Sequence, residues 1–423
     1  DEWRGSQASA NGRIFDALEE LYLAGSPYEG KDPIGTDEAI VATDAEPLRA
    51  FYDDWYRPDN TAVVVVGDID VGSIEAGIAE RFGPIVARGA SPVRPELTVE
   101  LSVDPQAIVL SDPDVAEGFA QVTLPLTLAD GDSVEADYQD AILDSMAFDM
   151  IATRLGNDAL RGEAPFDDAR VDSSGFVRSL DAPGIVVSAD GDALEASTQA
   201  VFDEYERVRR FGFSQAEVDR VVASYRTSAR STFDGRGSRQ DADFADEYVR
   251  HALTGEPIPT AEAQFAFTEA VLDRATPETI AYRFLGRLAA AGAHVLVVAP
   301  DREATDVPDA AVFAAQATSM PERELAPRSD EAAIDGDLMV APEPIEEISL
   351  ERLSDDGLDD FVDPVVLEFA NGVRVSLNTN QIVEGQVVVE ARSPGGLSVL
   401  SDADVPAADA AGPVVGQSGV ATY

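Results

Sequence analysis

Residues 51–70, FYDDWYRPDNTAVVVVGDID, hold the end of a predicted helix and the start of a predicted strand. Apolar side chains recur at helical spacing through residues 46–56, which predicts a helix with one apolar face. Pro58 lacks an N–H and restricts the residue before it, so the helix is expected to end there. The run 62–66 is apolar and mostly β-branched, which is typical of a strand buried on both faces. We therefore predict that residues 62–66 form an interior strand of a sheet.

The composition excludes several classes of partner. The chain has 423 residues, with 80 acidic and 30 basic side chains and a formal net charge of −50. This charge argues against nucleic acid or an anionic membrane as a partner. No cysteine is present, which excludes disulfides and thiolate metal sites, and no apolar run reaches the length of a membrane span. We interpret the charge as a salt-adapted, well-hydrated surface; a low-pH role or a cationic partner is the alternative.

Several segments resemble the pitrilysin/insulinase family of zinc metallopeptidases. The segment at 51–70 has that family's aromatic helix, Tyr-Arg-Pro-Asp-Asn turn and Val-Val-Gly-Asp strand end. Gly25-Ser-Pro-Tyr28 and Asp32-Pro-Ile-Gly35 are also similar to it, and the Asn371-Gly372 turn resembles the start of the third domain of long members. The resemblance implies an α+β fold of repeated two-layer units, each a sheet with helices packed on one face.

The chain divides into four predicted segments. Residues 1–95 are expected to be the later part of a first, catalytic-type domain, and residues 96–301 a second, catalytically silent domain. Residues 302–361 are rich in Ala, Pro, Asp and Glu and are predicted to be an acidic interdomain linker. Residues 362–423 are expected to start a third domain. Because the chain begins without Met inside a predicted helix, we interpret it as an internal fragment.

Local signals predict particular elements within these segments. Residues 1–23 have the apolar spacing of one helix. The uninterrupted apolar run 294–299 is predicted to be a second interior strand. Asn371-Gly372 predicts a hairpin over 365–377, because this dipeptide readily adopts the positive φ angles of a tight turn. Residues 386–391 are predicted to add a further strand.

The resemblance implies a zinc site formed by His-x-x-Glu-His on one helix and a distal Glu on a later helix. This chain contains no His-x-x-Glu-His, and its catalytic base is expected upstream. We expect His294 to be structural and His251 to be solvated or to cap a helix. Asp1-Glu2-Trp3-Arg4 resembles the family segment that carries the distal ligand, which implies Glu2 as a metal ligand. The alternative for Glu2 is an acid favoured by the dipole at a helix N-terminus. Arg57 is expected to be a structural fork.

The function implied by the resemblance is that of a zinc metalloendopeptidase that encloses and hydrolyses peptides or unfolded proteins. Its other partner would be the second half of the same chain, and a periplasmic or secreted location is favoured. The fragment itself is expected to be inactive. The alternative is a non-catalytic family member that acts as a peptide-binding or structural core subunit. An acidic interaction protein of unrelated type would leave the long motif match unexplained.

We predict that the melting temperature rises with NaCl concentration. The −50 charge repels itself at low ionic strength, and the Debye length shortens from about 30 Å at 0.01 M salt to about 3 Å at 1 M. Thermal unfolding followed by circular dichroism across this range measures the effect. A melting temperature that stays flat or falls would contradict a salt-adapted surface.

Overall fold

The computed structural model describes residues 2–86, 89–90, 92–93, 95, 97–128, 133–172, 175–302, 307–329, 343–352, 365–378, 387–393 and 395–417. The chain forms two compact units. The first unit comprises Asp1–Ala229 and Asp241–Asp330, and the second comprises Arg230–Gln240 and Glu331–Tyr423.

Within the described residues the helices are α1 (Glu2–Gln7), α2 (Ala10–Leu23), α3 (Asp37–Ala42), α4 (Ala45–Trp55), α5 (Val71–Phe82), α6 (Val134–Leu160), α7 (Leu194–Phe211), α8 (Gln215–Asp234), α9 (Asp241–Thr254), α10 (Ala261–Leu272), α11 (Pro277–Ala290), α12 (Ala310–Ser319) and α13 (Val405–Gln417). The strands are β1 (Gln106–Asp112), β2 (Gly118–Thr123), β3 (Leu126–Thr127), β4 (Asp168–Asp172), β5 (Gly175–Val177), β6 (Leu180–Asp181), β7 (Gly184–Ala189), β8 (His294–Pro300), β9 (Glu347–Arg352), β10 (Val365–Phe369) and β11 (Arg374–Leu377).

A five-stranded mixed sheet forms the centre of the first unit, in the order β1-β8-β2-β7-β4. Strand β8 runs parallel to β1 and antiparallel to β2, and all seven of its residues are buried. The prediction of an interior strand at 294–299 is therefore confirmed. A small second sheet, in the order β3-β6-β5, belongs to the same unit.

The main core lies between one face of this sheet and helices α6, α7 and α11. Alternate residues of β8, namely Val295, Val297 and Ala299, belong to this core. Tyr205 of α7 lies at its centre, with its ring edge-on to that of Phe284 at 5.3 Å between centroids. The Tyr205 hydroxyl donates to the carbonyl of Val122 in β2 at 3.0 Å. This bond satisfies the polar end of a fully buried aromatic side chain.

The opposite face of the sheet is covered in part by α2. Ala17 and Leu21 of α2 belong to one buried cluster with Leu296 and Val298, the intervening residues of β8. The apolar run of β8 is uninterrupted because both of its faces are covered. The predicted α+β class, with helices packed on a sheet, is confirmed, and α2 on the second face is an addition to it.

The prediction of an interior strand at 62–66 is wrong. These residues belong to no strand, and Val63 and Val65 are 43% and 44% exposed. An apolar run forms a strand only where a neighbouring backbone pairs with it, and no described segment pairs with this one. The helix before it is correct, because α4 ends at Trp55, just before Pro58.

The linker predicted at 302–361 is folded in two places. Helix α12 buries Phe313 completely in the main core, and the Gln316 side-chain amide donates to the Glu195 carbonyl at 2.9 Å. Later in the segment, β9 pairs antiparallel with β10. The linker was predicted from composition alone. The burial of Phe313 and the pairing of β9 with β10 give these two parts of the segment a defined structure. The other predicted domain boundaries remain predictions.

In the second unit, β11, β10 and β9 form a three-stranded antiparallel sheet. The predicted hairpin is confirmed: β10 and β11 meet at a turn in which Gly372 has a φ of +85°. The strand predicted at 386–391 is wrong where it is described, because residues 387–391 form no strand and Val387 to Val389 are at least 80% exposed. Gln386 lies outside the described residues.

The helix predicted over 1–23 is divided at residues 8 and 9, while Asp1 lies outside the described residues. Ser9 caps α2, because its side-chain oxygen accepts the backbone N–H of Gly12 at 3.0 Å. A Cβ on Gly12 would lie 2.0 Å from the carbonyl oxygen of Ser6. The break therefore allows α1 to lie against the first turn of α2. This close approach requires glycine at position 12, because any other side chain would collide with Ser6.

Candidate functional site

The candidate metal ligand Glu2 lies in the first turn of α1, and its side chain is exposed. Helix α1 contains six residues and ends at Gln7. The Gln7 side-chain amide donates to Asp16 of α2 at 2.9 Å. The position of Glu2 therefore depends on how α1 and α2 are fixed to the sheet.

A pair of stacked rings and a buried hydrogen bond fix the C-terminal part of α2 to the sheet. The ring of Tyr22 stacks on that of His294, with 5.4 Å between centroids. The Tyr22 hydroxyl shares a hydrogen bond of 2.8 Å with the hydroxyl of Thr123 in β2. Burial raises the pKa of the Tyr22 hydroxyl far above its ordinary value, so the side chain stays neutral.

His294 is structural, as expected. It is 3% exposed, and within the described residues neither ring nitrogen has a hydrogen-bond partner. Burial lowers the pKa of His294 from 6.5 to about 4, because the charged imidazolium loses its hydration. His251 lies in the last turn of α9, is exposed, and has Nδ1 at 2.7 Å from the Glu256 carbonyl oxygen. The two histidines thus lie in separate surroundings.

An ion pair fixes the N-terminal part of α2. Nε of Arg13 donates to Asp112, the last residue of β1, at 2.5 Å, and Nη2 donates to the other carboxylate oxygen at 2.9 Å. The sequence analysis missed this pair, because 99 residues separate its members. The sequence offered one signal for this pair: Arg13 lies next to the apolar face of a predicted helix, in a chain with few basic residues.

A second group of buried charges supports the core. Glu204 of α7 is fully buried and accepts hydrogen bonds from Arg154 at 2.8 Å and from Arg328 at 2.7 Å. Arg154 also pairs with Glu217, whose carboxylate accepts the backbone N–H of Ser214 in a capping box. Arginines pair with both carboxylates. These ion pairs therefore act as cross-links between helices.

Arg57 is a structural fork, as expected. Its side chain is 4% exposed, and its guanidinium donates to both carboxylate oxygens of Asp59, at 2.9 and 3.0 Å. A further donation reaches the carbonyl of Gly89 at 3.1 Å. The Tyr-Arg-Pro-Asp-Asn turn is therefore fixed by its own arginine.

The described residues could supply only part of the ligand set of a zinc site. Glu2 could supply one ligand of a zinc site, because it is an exposed carboxylate at the start of a helix and carboxylate oxygens coordinate zinc. No group of three or more His, Asp or Glu side chains that could hold a metal occurs among the described residues. A zinc site needs three protein ligands and an open position for catalysis. The described part of the chain would supply at most one of them.

Comparison with known proteins confirms the class of fold. Residues 43–225 match the family described as the peptidase M16 inactive domain, a range that crosses the predicted boundary at 95/96. Over 89% of this chain, the fold is similar to the crystal structure of the periplasmic protease PqqL from Escherichia coli, with a TM-score of 0.71 and 21% identity. The structure of the first half of that protease matches 78% of this chain, with a TM-score of 0.69 and 20% identity, over 70% of its own length.

The resemblance to the pitrilysin/insulinase metallopeptidases is thus confirmed. The chain is 24% identical to a zinc protease PQQL-like protein of Arabidopsis thaliana over all of its length. That alignment covers 41% of the relative, as does the match to the whole E. coli protease. The chain therefore spans about two fifths of the length of these relatives. Among its described helices, none is both long and apolar enough to cross a membrane.

We predict that His294 makes the stability of the fold sensitive to acid. Between pH 6.5 and pH 4 the unfolded chain binds a proton at this residue, whereas the folded chain does not. Relative to a His294→Leu variant, the wild-type free energy of unfolding should therefore fall on the order of 3 kcal/mol as pH falls through this window. Urea unfolding at several pH values measures the difference.

The exposed histidine provides the control. A His251→Gln variant removes the other histidine of the chain, which lies exposed in the last turn of α9, and its profile is measured alongside. Parallel pH profiles for the wild type and the His294→Leu variant would contradict the effect of burial.

Proposed function

We propose that this chain is part of a zinc-dependent metalloendopeptidase that encloses and hydrolyses peptides or unfolded proteins. In this proposal, Glu2 supplies one zinc ligand, and the domain that follows is catalytically silent. When bound, zinc in such an enzyme polarises the scissile carbonyl and lowers the pKa of a bound water. The second half of the same polypeptide would close the chamber around the substrate, and a periplasmic or secreted location would suit the enzyme.

One observation carries the proposal: Glu2 lies in the same compact unit as the five-stranded sheet, and the helix that comes next, α2, packs on that sheet. Helix α2 buries Ala17 and Leu21 against β8, and Tyr22 stacks on His294. A silent domain with its own core can therefore hold a ligand-bearing helix in a fixed place. This division of labour suits a family whose matched segment is described as inactive.

The exposed apolar surface before residue 86 supports a larger assembly of the same polypeptide. Leu48 and Phe51 of α4 are 60% and 59% exposed, although they lie on one helix face with apolar spacing. Val63 and Val65 are also exposed. Apolar surface of this kind usually meets a partner. Further residues of a catalytic-type domain would cover α4 and pair with residues 62–66.

The second candidate is a non-catalytic family member that binds peptides or serves as a structural core. It is favoured by the match of residues 43–225 to a family described as an inactive domain. The two candidates differ in whether the complete polypeptide holds zinc. Metal content therefore separates them before any substrate is known.

We predict that in the complete polypeptide Glu2→Gln lowers both zinc occupancy and peptide cleavage. The change keeps the size of the side chain but removes the charge that helps to hold the cation. Metal content is measured by mass spectrometry and turnover with a quenched peptide. The present chain alone should hold no stoichiometric zinc, since one carboxylate does not make a site.

Glu20→Gln is the matched control, because Glu20 is an exposed residue of α2. This variant should keep the zinc and the turnover of the wild type. Unchanged zinc and turnover in the Glu2→Gln protein would contradict the ligand assignment. A complete wild-type polypeptide without zinc would favour the non-catalytic alternative.

A further inference from the structure

The side chain of Arg13 ties the junction between α1 and α2 to the sheet. Arg13, in the first turn of α2, uses all of its side-chain nitrogens. Nε and Nη2 donate to the two carboxylate oxygens of Asp112 at 2.5 and 2.9 Å. Nη2 also donates to Asp114 at 2.7 Å, and Nη1 donates to the backbone carbonyl of Gln7 at 3.1 Å. One guanidinium therefore connects the last residue of α1 to the last residue of β1.

The acidic partner is held rigidly. The Asp112 side chain is 1% exposed, and one of its oxygens also accepts the backbone N–H of Asp114 at 2.9 Å. The hydrogen bond from Arg13 holds the pKa of Asp112 below its ordinary value. The Asp112 carbonyl in turn accepts the backbone N–H of Asp301, immediately after β8. The anchor point is thus continuous with the buried centre of the sheet.

Helix α1 has little freedom to move independently of this anchor. A Cβ on Gly12 would lie 2.0 Å from the Ser6 carbonyl oxygen, so α1 lies directly against the first turn of α2. At a rise of about 1.5 Å per residue, Glu2 lies roughly 7 to 8 Å along the helix from Gln7. A shift of the Gln7 end is therefore transmitted to Glu2 through less than two turns.

We propose that Arg13 is a positioning residue for Glu2, a role that depends on the proposed function of Glu2 as a zinc ligand. The guanidinium, anchored on Asp112 in the silent domain, sets the place of α1 and hence of the carboxylate at its start. The silent domain thereby contributes to metal binding without supplying a ligand. Lysine cannot replace this arginine, because an ammonium lacks the planar fork that bonds two oxygens and a third acceptor together.

The test uses the complete polypeptide and zinc itself. The zinc dissociation constant is measured by chelator competition for the wild type, Arg13→Lys, Glu2→Gln and the double variant. Loss of an interaction that orients a ligand typically weakens metal binding by about 10- to 100-fold, and we expect this for Arg13→Lys. In the Glu2→Gln background the same change should alter the dissociation constant by less than about twofold, since coupled residues are not additive.

Arg287→Lys provides the matched control for a general loss of stability. Arg287 is also a buried arginine, 4% exposed, and it pairs with Asp144 of α6 at 2.8 Å and with Asp181 of β6. This variant should lower the melting temperature and leave the zinc dissociation constant unchanged. Hydrogen exchange of the Ala8 and Ser9 amides, which donate to the carbonyls of Arg4 and Ser6, should rise in Arg13→Lys and not in Arg287→Lys.

A second perturbation keeps the proposal testable if Arg13→Lys fails to fold. Gly12→Ala displaces α1 while leaving the ion pair in place, and it should weaken zinc binding only when Glu2 is present. An equal loss in both Glu2 backgrounds, or no loss from either variant, would overturn the positioning role. If Glu2→Gln itself leaves the dissociation constant unchanged, the proposed ligand is wrong and the positioning role is overturned with it.

Discussion

Strand β8 is buried on both of its faces, and the arrangement of the first unit depends on this constraint. Val295, Val297 and Ala299 belong to the core formed with the long helices, whereas Leu296 and Val298 meet α2. A strand of this kind needs a hydrogen-bonded neighbour on each side and an apolar cover on each face. The first need brings β1 and β2 together around β8, although β8 begins 171 positions after the end of β2 and still farther after β1. The second brings in a helix from the beginning of the chain.

Arginine placement is the second organising feature. The chain has 80 acidic side chains and only 30 basic ones, yet the buried acids of α7 are matched by arginines. Glu204 has Arg154 and Arg328, and Glu206 has Arg209 and Arg210. An unpaired buried carboxylate would be strongly destabilising. The scarce basic residues therefore cross-link the fold, and the excess of negative charge remains at the surface, where salt can screen it.

Local sequence signals predicted the elements that depend on nearby residues. The Asn371-Gly372 hairpin and the end of α4 before Pro58 each involve contacts within a few residues. The run 294–299 was also predicted correctly, because its partners lie within the described chain. The run 62–66 has the same apolar pattern but no described strand beside it. An apolar pattern indicates that a segment tends to be buried, but it does not identify the strand that would pair with that segment.

The candidate site was less accessible to prediction than the fold. The prediction of Glu2 as a ligand rests on a family resemblance over four residues and on the distance of Glu2 before the Tyr-Arg-Pro-Asp-Asn stretch. The Arg13–Asp112 pair and the Tyr22–Thr123 hydrogen bond join residues about 100 positions apart. Such contacts follow from the packing of α2 on the sheet, which depends on how both faces of β8 are covered. Local patterns carry no information about that choice.

The central claim is that α2 is an integral part of the sheet domain. Native-state hydrogen exchange tests it most directly, with α4 as an internal comparison, because α4 is a helix of similar length that has no buried residue. We predict that the amides of residues 17–23 exchange much more slowly than those of residues 49–55, since exchange in α2 requires the sheet cover to open. Equal, fast exchange in the two helices would contradict the packing of α2 on β8.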